Sequence, residues 1–143
     1  MAAVRRNAFV ELFWKIHPAL YRLTGGRVLG RLLGLPVLLL TTTGRRSGQP
    51  RTRALTYLPD GEHTVVIASF LGEPRHPDWW LNLRAHPEAT IQRGATTTRV
   101  RAREAEGEER ERLWRAVVAT TPDYAEYARR TSRRIPVVVL EPI

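Results

Sequence analysis

The sequence of 143 residues contains no cysteine. This absence excludes a disulfide framework, zinc–thiolate and iron–sulfur sites, and a thiol nucleophile. Histidine is also scarce, and no two of the four histidines have the i, i+4 spacing that places two imidazoles on one helix face: His17, His63, His76 and His86. We therefore expect no metal site in this protein.

Long apolar runs are missing as well. No window holds the roughly 20 apolar residues that a membrane-spanning helix requires. Near the N-terminus, Glu11, Lys15 and Pro18 interrupt the apolar stretch, which therefore lacks the apolar core of a signal peptide. We predict one cytoplasmic globular domain, in which an amphipathic helical segment (residues 1–35) precedes the main part of the domain (residues 36–143).

Acidic residues are rare in the first part of the chain. Residues 1–59 hold ten cations and a single acid, Glu11, whereas residues 60–143 hold thirteen of each. The net charge of +9 therefore arises from the first part of the chain. We expect an anionic partner to bind there.

Several catalytic motifs are absent. The segment GRRSG lacks the GxxxxGK[ST] spacing of a P-loop, and the chain contains neither a GxGxxG that opens a helix nor a GxSxG elbow. The acids over 104–111 are typical of a solvated helix N-terminus. Without cysteine, a metal or a triad, catalysis by this chain would depend on a cofactor.

The apolar pattern predicts an α+β fold. In the first half we expect helices over 7–23 and 27–33, then strands over 36–43, 51–58 and 63–69, with a tight turn at the PDG sequence. In the second half we expect a loop over 71–77, a helix between Pro77 and Pro87, a hairpin around Gly94, two further helices and a buried strand over 135–140. About six mainly antiparallel strands with flanking helices suggest a small barrel.

The turn between the first two predicted strands is the best candidate for a binding site. Arg45, Arg46 and Ser47 form its tip, and Arg51 and Arg53 follow on the return strand. Guanidinium groups and a serine hydroxyl between glycines suit a phosphate or several carboxylates. A solvated turn with ordinary arginines is an equally good interpretation at this point.

Aromatic residues form two further candidates. Trp79 and Trp80 point about 100° apart on a helix, so only one can face a given pocket, and the nearby Asn82 could bond to the backbone. Tyr124 and Tyr127 are three residues apart and share a helix face. Their roles could be packing or proton donation to a substrate.

Four motifs, in order, resemble one family: TTTGRRSGQPR, IAS, HPDWWLNLRAHP and TPDYAEYARRTSRRIPVVVLEP. Between about Pro36 and Pro142 the chain is similar to the deazaflavin-dependent nitroreductases and quinone reductases. These are split-β-barrel oxidoreductases of actinobacteria that use coenzyme F420, an 8-hydroxy-5-deazaflavin with a phosphate and a polyglutamate tail. The resemblance implies a split barrel and hydride transfer from the reduced cofactor to a quinone, nitro compound or other electrophilic acceptor.

The resemblance also implies site residues. It assigns the phosphate and tail to Arg45, Arg46, Ser47, Arg51, Thr52, Arg53, Ala54, Leu55 and Thr56. It assigns the deazaflavin ring to Ile67, Ala68, Ser69, Phe70, Asp78, Trp79, Trp80, Leu81, Asn82 and Tyr124. Tyr124 would donate or polarise a proton, Ser69 would orient the acceptor, and Thr56, Tyr124 and Tyr127 would contact the substrate. On this interpretation the arginines of the turn have no protein counter-charge because the ligand supplies it.

Some positions depart from the family. Phe70 and Leu71 stand where some members have a cationic residue and glycine, and Thr56 and Thr121 replace tyrosines. In the family the N-terminal segment covers the substrate pocket or contacts membrane, so residues 5–20 could bind the inner face of the cell membrane or fold onto the barrel. Two other functions remain open: an FMN-binding split-barrel reductase, and a basic protein that binds nucleic acid or membrane without catalysis.

Overall fold

The computed structural model describes residues 31–32 and 35–143. The predicted helix over 7–23 and the predicted membrane contact through residues 5–20 lie outside the described residues. No helix within the described part of the chain is long and apolar enough to span a membrane.

Eight strands and three α-helices make up the described part of the chain. In order they are β1 (Arg31–Leu32), β2 (Leu35–Thr43), β3 (Pro50–Thr56), β4 (Leu58–Asp60), β5 (His63–Ile67), α1 (Asp78–Ala85), β6 (Glu88–Arg93), β7 (Thr96–Glu104), α2 (Gly107–Thr120), α3 (Asp123–Arg130) and β8 (Val137–Pro142). A short 3-10 helix, Phe70–Gly72, opens the segment that was expected to be a loop.

The strands form one antiparallel sheet in the order β1-β2-β6-β7-β8-β5-β4, and β3 pairs with β2. The predicted α+β class with mainly antiparallel strands is confirmed. The expected strand over 51–58 is divided, because β3 pairs with β2 whereas β4 pairs with β5. Tyr57 lies between these strands, and its N–H donates to the Pro36 carbonyl at 3.0 Å.

The predicted helix over 27–33 is wrong at Arg31–Leu32, which form strand β1; the division of the chain at residue 35 stays a prediction. Arg31 pairs with Pro36, and Leu32 pairs with Leu35, so the chain reverses directly into β2. Glycines at 30 and 34 interrupt this apolar stretch, and each disfavours a helix by about 1 kcal/mol relative to alanine. Pairing with the neighbouring long strand therefore decides the conformation.

Two large clusters of buried side chains lie one on each side of β8, and a small third cluster holds Val37 and Leu39 of β2. Val138 and Leu140 pack in the cluster that includes α1, whereas Val137 and Val139 pack in the cluster that includes α2 and α3. Successive side chains of a strand point to opposite faces, so β8 is buried on both. The two clusters hold α1 and α3 in place, and these are the helices that carry the candidate site residues.

Candidate functional site

A cavity of about 470 Å³ lies between the β2–β3 turn and α1. Nine of the predicted cofactor-binding residues line it: Arg45, Arg46, Ser47, Arg51, Thr52, Arg53, Asp78, Trp79 and Asn82. Thr42 and Gly44 also line it and were missed by the sequence interpretation. Their position directly before the arginine turn was the only available signal.

The cavity is strongly cationic. Arg46, Arg51 and Arg53 are exposed, and none of them forms an ion pair with an acid in the described part of the chain. Arg45 differs, because its Nη2 lies 3.4 Å from Asp78 Oδ1 at the start of α1. The prediction that all four arginines lack a protein counter-charge is therefore wrong for Arg45, since the fold brings in an acid 33 residues away.

Asn82 joins α1 to the arginine turn and is almost completely buried. Its Oδ1 accepts hydrogen bonds from the main-chain N–H and Nη1 of Arg45, at 3.1 and 3.0 Å. Its Nδ2 donates to Thr42 Oγ1 at 3.2 Å. Asn82 therefore fixes both the backbone and the side chain of the first arginine of the turn, and the predicted bond from Asn82 to the backbone is one of its three contacts.

The turn is shaped by its own small residues. Ser47 Oγ accepts from the N–H of Gln49 at 3.1 Å and from Arg51 Nη2 at 3.3 Å. A Cβ atom at Gly44 would lie 2.6 Å from that hydroxyl oxygen, so a larger residue does not fit there without displacing it. Ser47 thus directs Arg51 as well as lining the cavity.

Both tryptophans of α1 are buried in the same core cluster. Trp79 also lines the cavity, whereas Trp80 does not. This division follows from the 100° angle between successive helical residues.

A second group of predicted residues surrounds Tyr124. Its Oη lies 2.5 Å from Thr56 Oγ1 at the end of β3, and its ring meets Tyr127 edge to face at 5.7 Å between centroids. Burial raises the pKa of the Tyr124 hydroxyl above its ordinary value, the bond with Thr56 opposes this rise, and the charge of Asp123 adds to it. The hydroxyl is therefore fully protonated at neutral pH.

A third group lies in the segment 67–76, where Ile67, Ala68 and Ser69 are buried. Phe70 and Leu71 both have left-handed backbone conformations, with φ of 47° and 55°. Arg130 Nη1 donates to the Leu71 carbonyl at 3.2 Å, and Arg133 donates to several carbonyls of the segment. The sequence interpretation missed both arginines, although they lie in the run of arginines that follows Tyr127.

The remaining predicted residues do not line the described cavity. They are Ala54, Leu55, Thr56, Ile67, Ala68, Ser69, Phe70, Trp80, Leu81, Tyr124 and Tyr127. Six of the nine predicted polyanion contacts thus line the cavity, together with three of the predicted ring contacts, Asp78, Trp79 and Asn82.

The family model described as F420H(2)-dependent quinone reductase matches residues 13–142. The chain belongs to this family. A Mycobacterium tuberculosis protein described as an F420H(2)-dependent quinone reductase is 42% identical over 141 residues, which cover 96% of this chain and 94% of that protein.

Solved structures agree with the family assignment. An F420H2-dependent reductase is 41% identical, has a TM-score of 0.68, and covers 74% of this chain and 94% of its own. A domain-swapped dimer is 34% identical, has a TM-score of 0.70, and covers 94% of this chain and all of its own (100%). The predicted split-barrel fold, oxidoreductase class and F420-dependent family are confirmed; reduction of nitro compounds stays a prediction.

Proposed function

We propose that this chain binds coenzyme F420 in the arginine-lined cavity and uses it to reduce a quinone. The observation that supports this site most strongly is the charge of the cavity. Arg46, Arg51 and Arg53 line it without an acid partner in the described part of the chain. A ligand with several negative charges would satisfy them, and a neutral ligand would not.

The residues present fit this cofactor. The phosphate and polyglutamate tail require cations in an open groove, and the exposed arginines provide them. The ring requires an apolar surface, and Trp79 supplies a buried aromatic wall beside the cavity. FMN has a phosphate but no long anionic tail, so it would use fewer of these cations.

When bound in this cavity, the reduced deazaflavin would supply a hydride. Reduction of a quinone to a quinol also consumes a proton, and Tyr124 is the residue that we assign to deliver it. Its pKa is raised by burial, so it holds its proton at neutral pH. Thr56 holds the Tyr124 hydroxyl oxygen in place through the 2.5 Å hydrogen bond, in which either hydroxyl can donate. Ser69 and Tyr127 are assigned to orient the acceptor.

The cavity assignment can be tested by titrating the purified protein with oxidised F420 and following fluorescence, with FMN in parallel. Arg46→Glu should weaken F420 binding at least tenfold, because one attractive charge becomes repulsive, and each tenfold corresponds to about 1.4 kcal/mol. The matched control is Arg115→Glu, which makes the same charge change on α2, where Arg115 is exposed and pairs with Glu111 at 4.0 Å.

The control variant should bind F420 like the wild type. If the Arg46→Glu protein also binds F420 like the wild type, the assignment of F420 to this cavity is wrong. Equal weakening of both variants would show that only the net charge matters, and would equally contradict a specific site.

We also propose that residues 5–20 bind an anionic membrane surface, where a lipid quinone would be available. The support is the pattern of the sequence, in which Arg5 and Arg6 precede the apolar residues Phe9, Leu12 and Phe13. Co-sedimentation with anionic vesicles should exceed that with neutral vesicles and should be lost in Phe13→Glu. Equal sedimentation with and without vesicles would contradict this contact.

A further inference from the structure

We propose that Arg133 is a positioning residue for the cofactor and acceptor site. It holds the segment 68–76 in the one backbone shape that presents Ser69 and Phe70 to bound ligands. This inference rests on the proposed function for its ligands, but the effect on the segment can be measured without any ligand.

The contacts of Arg133 are concentrated on this segment. Its Nη2 donates to the Ser69 carbonyl at 2.7 Å, its Nη1 to the Ala68 carbonyl at 3.1 Å, and its Nε to the Glu73 carbonyl at 3.1 Å. Arg133 lies 64 residues from Ser69 in the sequence. One planar guanidinium therefore joins Ala68 and Ser69 to Glu73, across the 3-10 helix. It adds to the two backbone hydrogen bonds of that helix, from the Gly72 N–H to Ser69 and from the Glu73 N–H to Phe70.

The segment needs such support because its backbone is strained. Phe70 and Leu71 are successive non-glycine residues with positive φ. Each such residue costs about 1–2 kcal/mol, so this shape persists only where the surroundings determine it. Arg130 supplies one bond to the Leu71 carbonyl, and Arg133 supplies the bonds on either side of the strained pair.

His76 completes the arrangement at the far end of the segment. Its Nδ1 lies 3.1 Å from Arg133 Nη1, and because a guanidinium only donates, Nδ1 must accept. The imidazole in this bond is therefore neutral, with its proton on Nε2. Burial and the charges of Arg133 and of Arg84 on α1 lower the pKa of His76, which favours the neutral form.

Arg133 does not line the described cavity, so its role would be indirect. A change at Arg133 would remove its bonds to the Ala68 and Glu73 carbonyls and one of two bonds to the Ser69 carbonyl, which also accepts from the Gly72 N–H at 2.9 Å, and would let the strained pair relax. Ser69 and Phe70 would then move away from the positions that ligand binding requires. The expected signature is a local loss of order together with weaker binding, without general unfolding.

The experiment compares Arg133→Gln and Arg133→Lys with Arg134→Gln. Arg134 is the neighbouring exposed arginine, and it pairs with Glu106 at 3.2 Å. Hydrogen exchange of the ligand-free proteins is measured by mass spectrometry over 68–76 and over a reference strand, β7. F420 titrations follow on the same samples.

For Arg133→Gln we expect at least tenfold faster exchange over 68–76, unchanged exchange in β7 and about tenfold weaker F420 binding, equivalent to roughly 1.4 kcal/mol. Arg133→Lys should show the same faster exchange over 68–76 and the same weaker F420 binding as Arg133→Gln, because one ammonium cannot span three carbonyls. Arg134→Gln should match the wild type. Normal protection of 68–76 in Arg133→Gln would overturn the inference. Faster local exchange with unchanged F420 binding would overturn the link to the ligand, whereas absence of F420 binding in the wild type would overturn the proposed function alone.

If the Arg133 variants do not fold, the wild type itself provides the test. Acidification to well below the pKa of His76 should lower the protection of 68–76 relative to the intrinsic exchange rate at the same pH, because protonated Nδ1 cannot accept from Arg133. In His76→Gln, whose amide oxygen accepts but does not titrate, this loss of protection should vanish. Its persistence would overturn the role of this contact.

Discussion

The Tyr124 hydroxyl and the Thr56 hydroxyl lie 2.5 Å apart, although 68 residues separate them in the sequence. The bond connects α3 to the end of β3, the strand that also carries Arg51 and Arg53. The proposed proton donor is thus anchored to the same strand that provides two cations of the cavity.

Tyr124→Phe should lower quinone reduction by about a hundredfold, near the low end of what general acid catalysis provides. Its affinity for F420 should stay within about threefold of the wild type, which corresponds to less than 1 kcal/mol. Thr56→Val should reduce turnover in the same direction by misdirecting the hydroxyl, whereas Thr56→Ser, which keeps the hydroxyl, should be closer to the wild type. Steady-state rates and F420 titrations of the three variants provide the measurement. If Tyr124→Phe reduces the quinone at the wild-type rate, another group must donate the proton.

The raised pKa of Tyr124 predicts how stability depends on alkaline pH. The unfolded chain releases the tyrosine proton near pH 10, whereas the native protein retains it to higher pH. The contribution of this residue is therefore fully present below about pH 10 and is lost as pH rises through the native pKa. Urea unfolding between about pH 9 and 11 should show a steeper loss for the wild type than for Tyr124→Phe. Parallel curves would indicate that burial does not shift this pKa.

Asn82→Ala should loosen the arginine turn. It removes the acceptor of two bonds from Arg45 and the donor to Thr42, and it leaves buried polar groups without these partners. The free energy of unfolding should fall by about 1–3 kcal/mol, and F420 binding should weaken because Arg45 is no longer fixed. Arg84→Ala on the exposed side of the same helix is the control for both measurements. A variant that loses stability but binds F420 normally would contradict the positioning of Arg45 by Asn82.

Gly72→Ala should destabilise the protein by about 3 kcal/mol or more, since it combines a left-handed backbone with overpacking. Its φ is +79°, and a Cβ would lie 2.8 Å from both the Arg130 Cβ and the Tyr127 carbonyl oxygen. Gly107 has φ of +56° and open space around it, so Gly107→Ala should cost only about 1 kcal/mol. Chemical denaturation of both variants separates backbone strain from the steric clash. Equal losses in the free energy of unfolding would show that the atoms of Arg130 and Tyr127 beside Gly72 can move aside at little cost.

Much of the fold was predictable because its signals are local. Prolines at 77 and 87 enclose the helix Asp78–Ala85, and the spacing of Tyr124 and Tyr127 predicted a shared face that the structure confirms. The arginine turn was visible because its cations are close together in the sequence. The short strand Arg31–Leu32 was not predicted, because two residues are too few to show a hydrophobic periodicity. Only their pairing with β2 defines them as a strand.

The supporting contacts of the candidate site were not predictable. Asn82 binds Arg45 across 37 residues, and Arg133 binds Ser69 across 64. No local pattern marks such pairs, since they depend on how the helices pack on the sheet. The sequence identified residues able to bind an anion, but not the residues that hold them in position.

The pairing of β3 has a consequence for the behaviour of the protein at high concentration. In the described part of the chain β3 pairs with β2 alone, so β3 lies at an edge of the sheet. Pro50 opens this strand, and the exposed Arg51 and Arg53 lie along it, which are features that oppose edge-to-edge association. The arginines assigned to the anionic ligand therefore also protect the protein from aggregation, and replacing them with neutral residues would lower its solubility as well as its affinity.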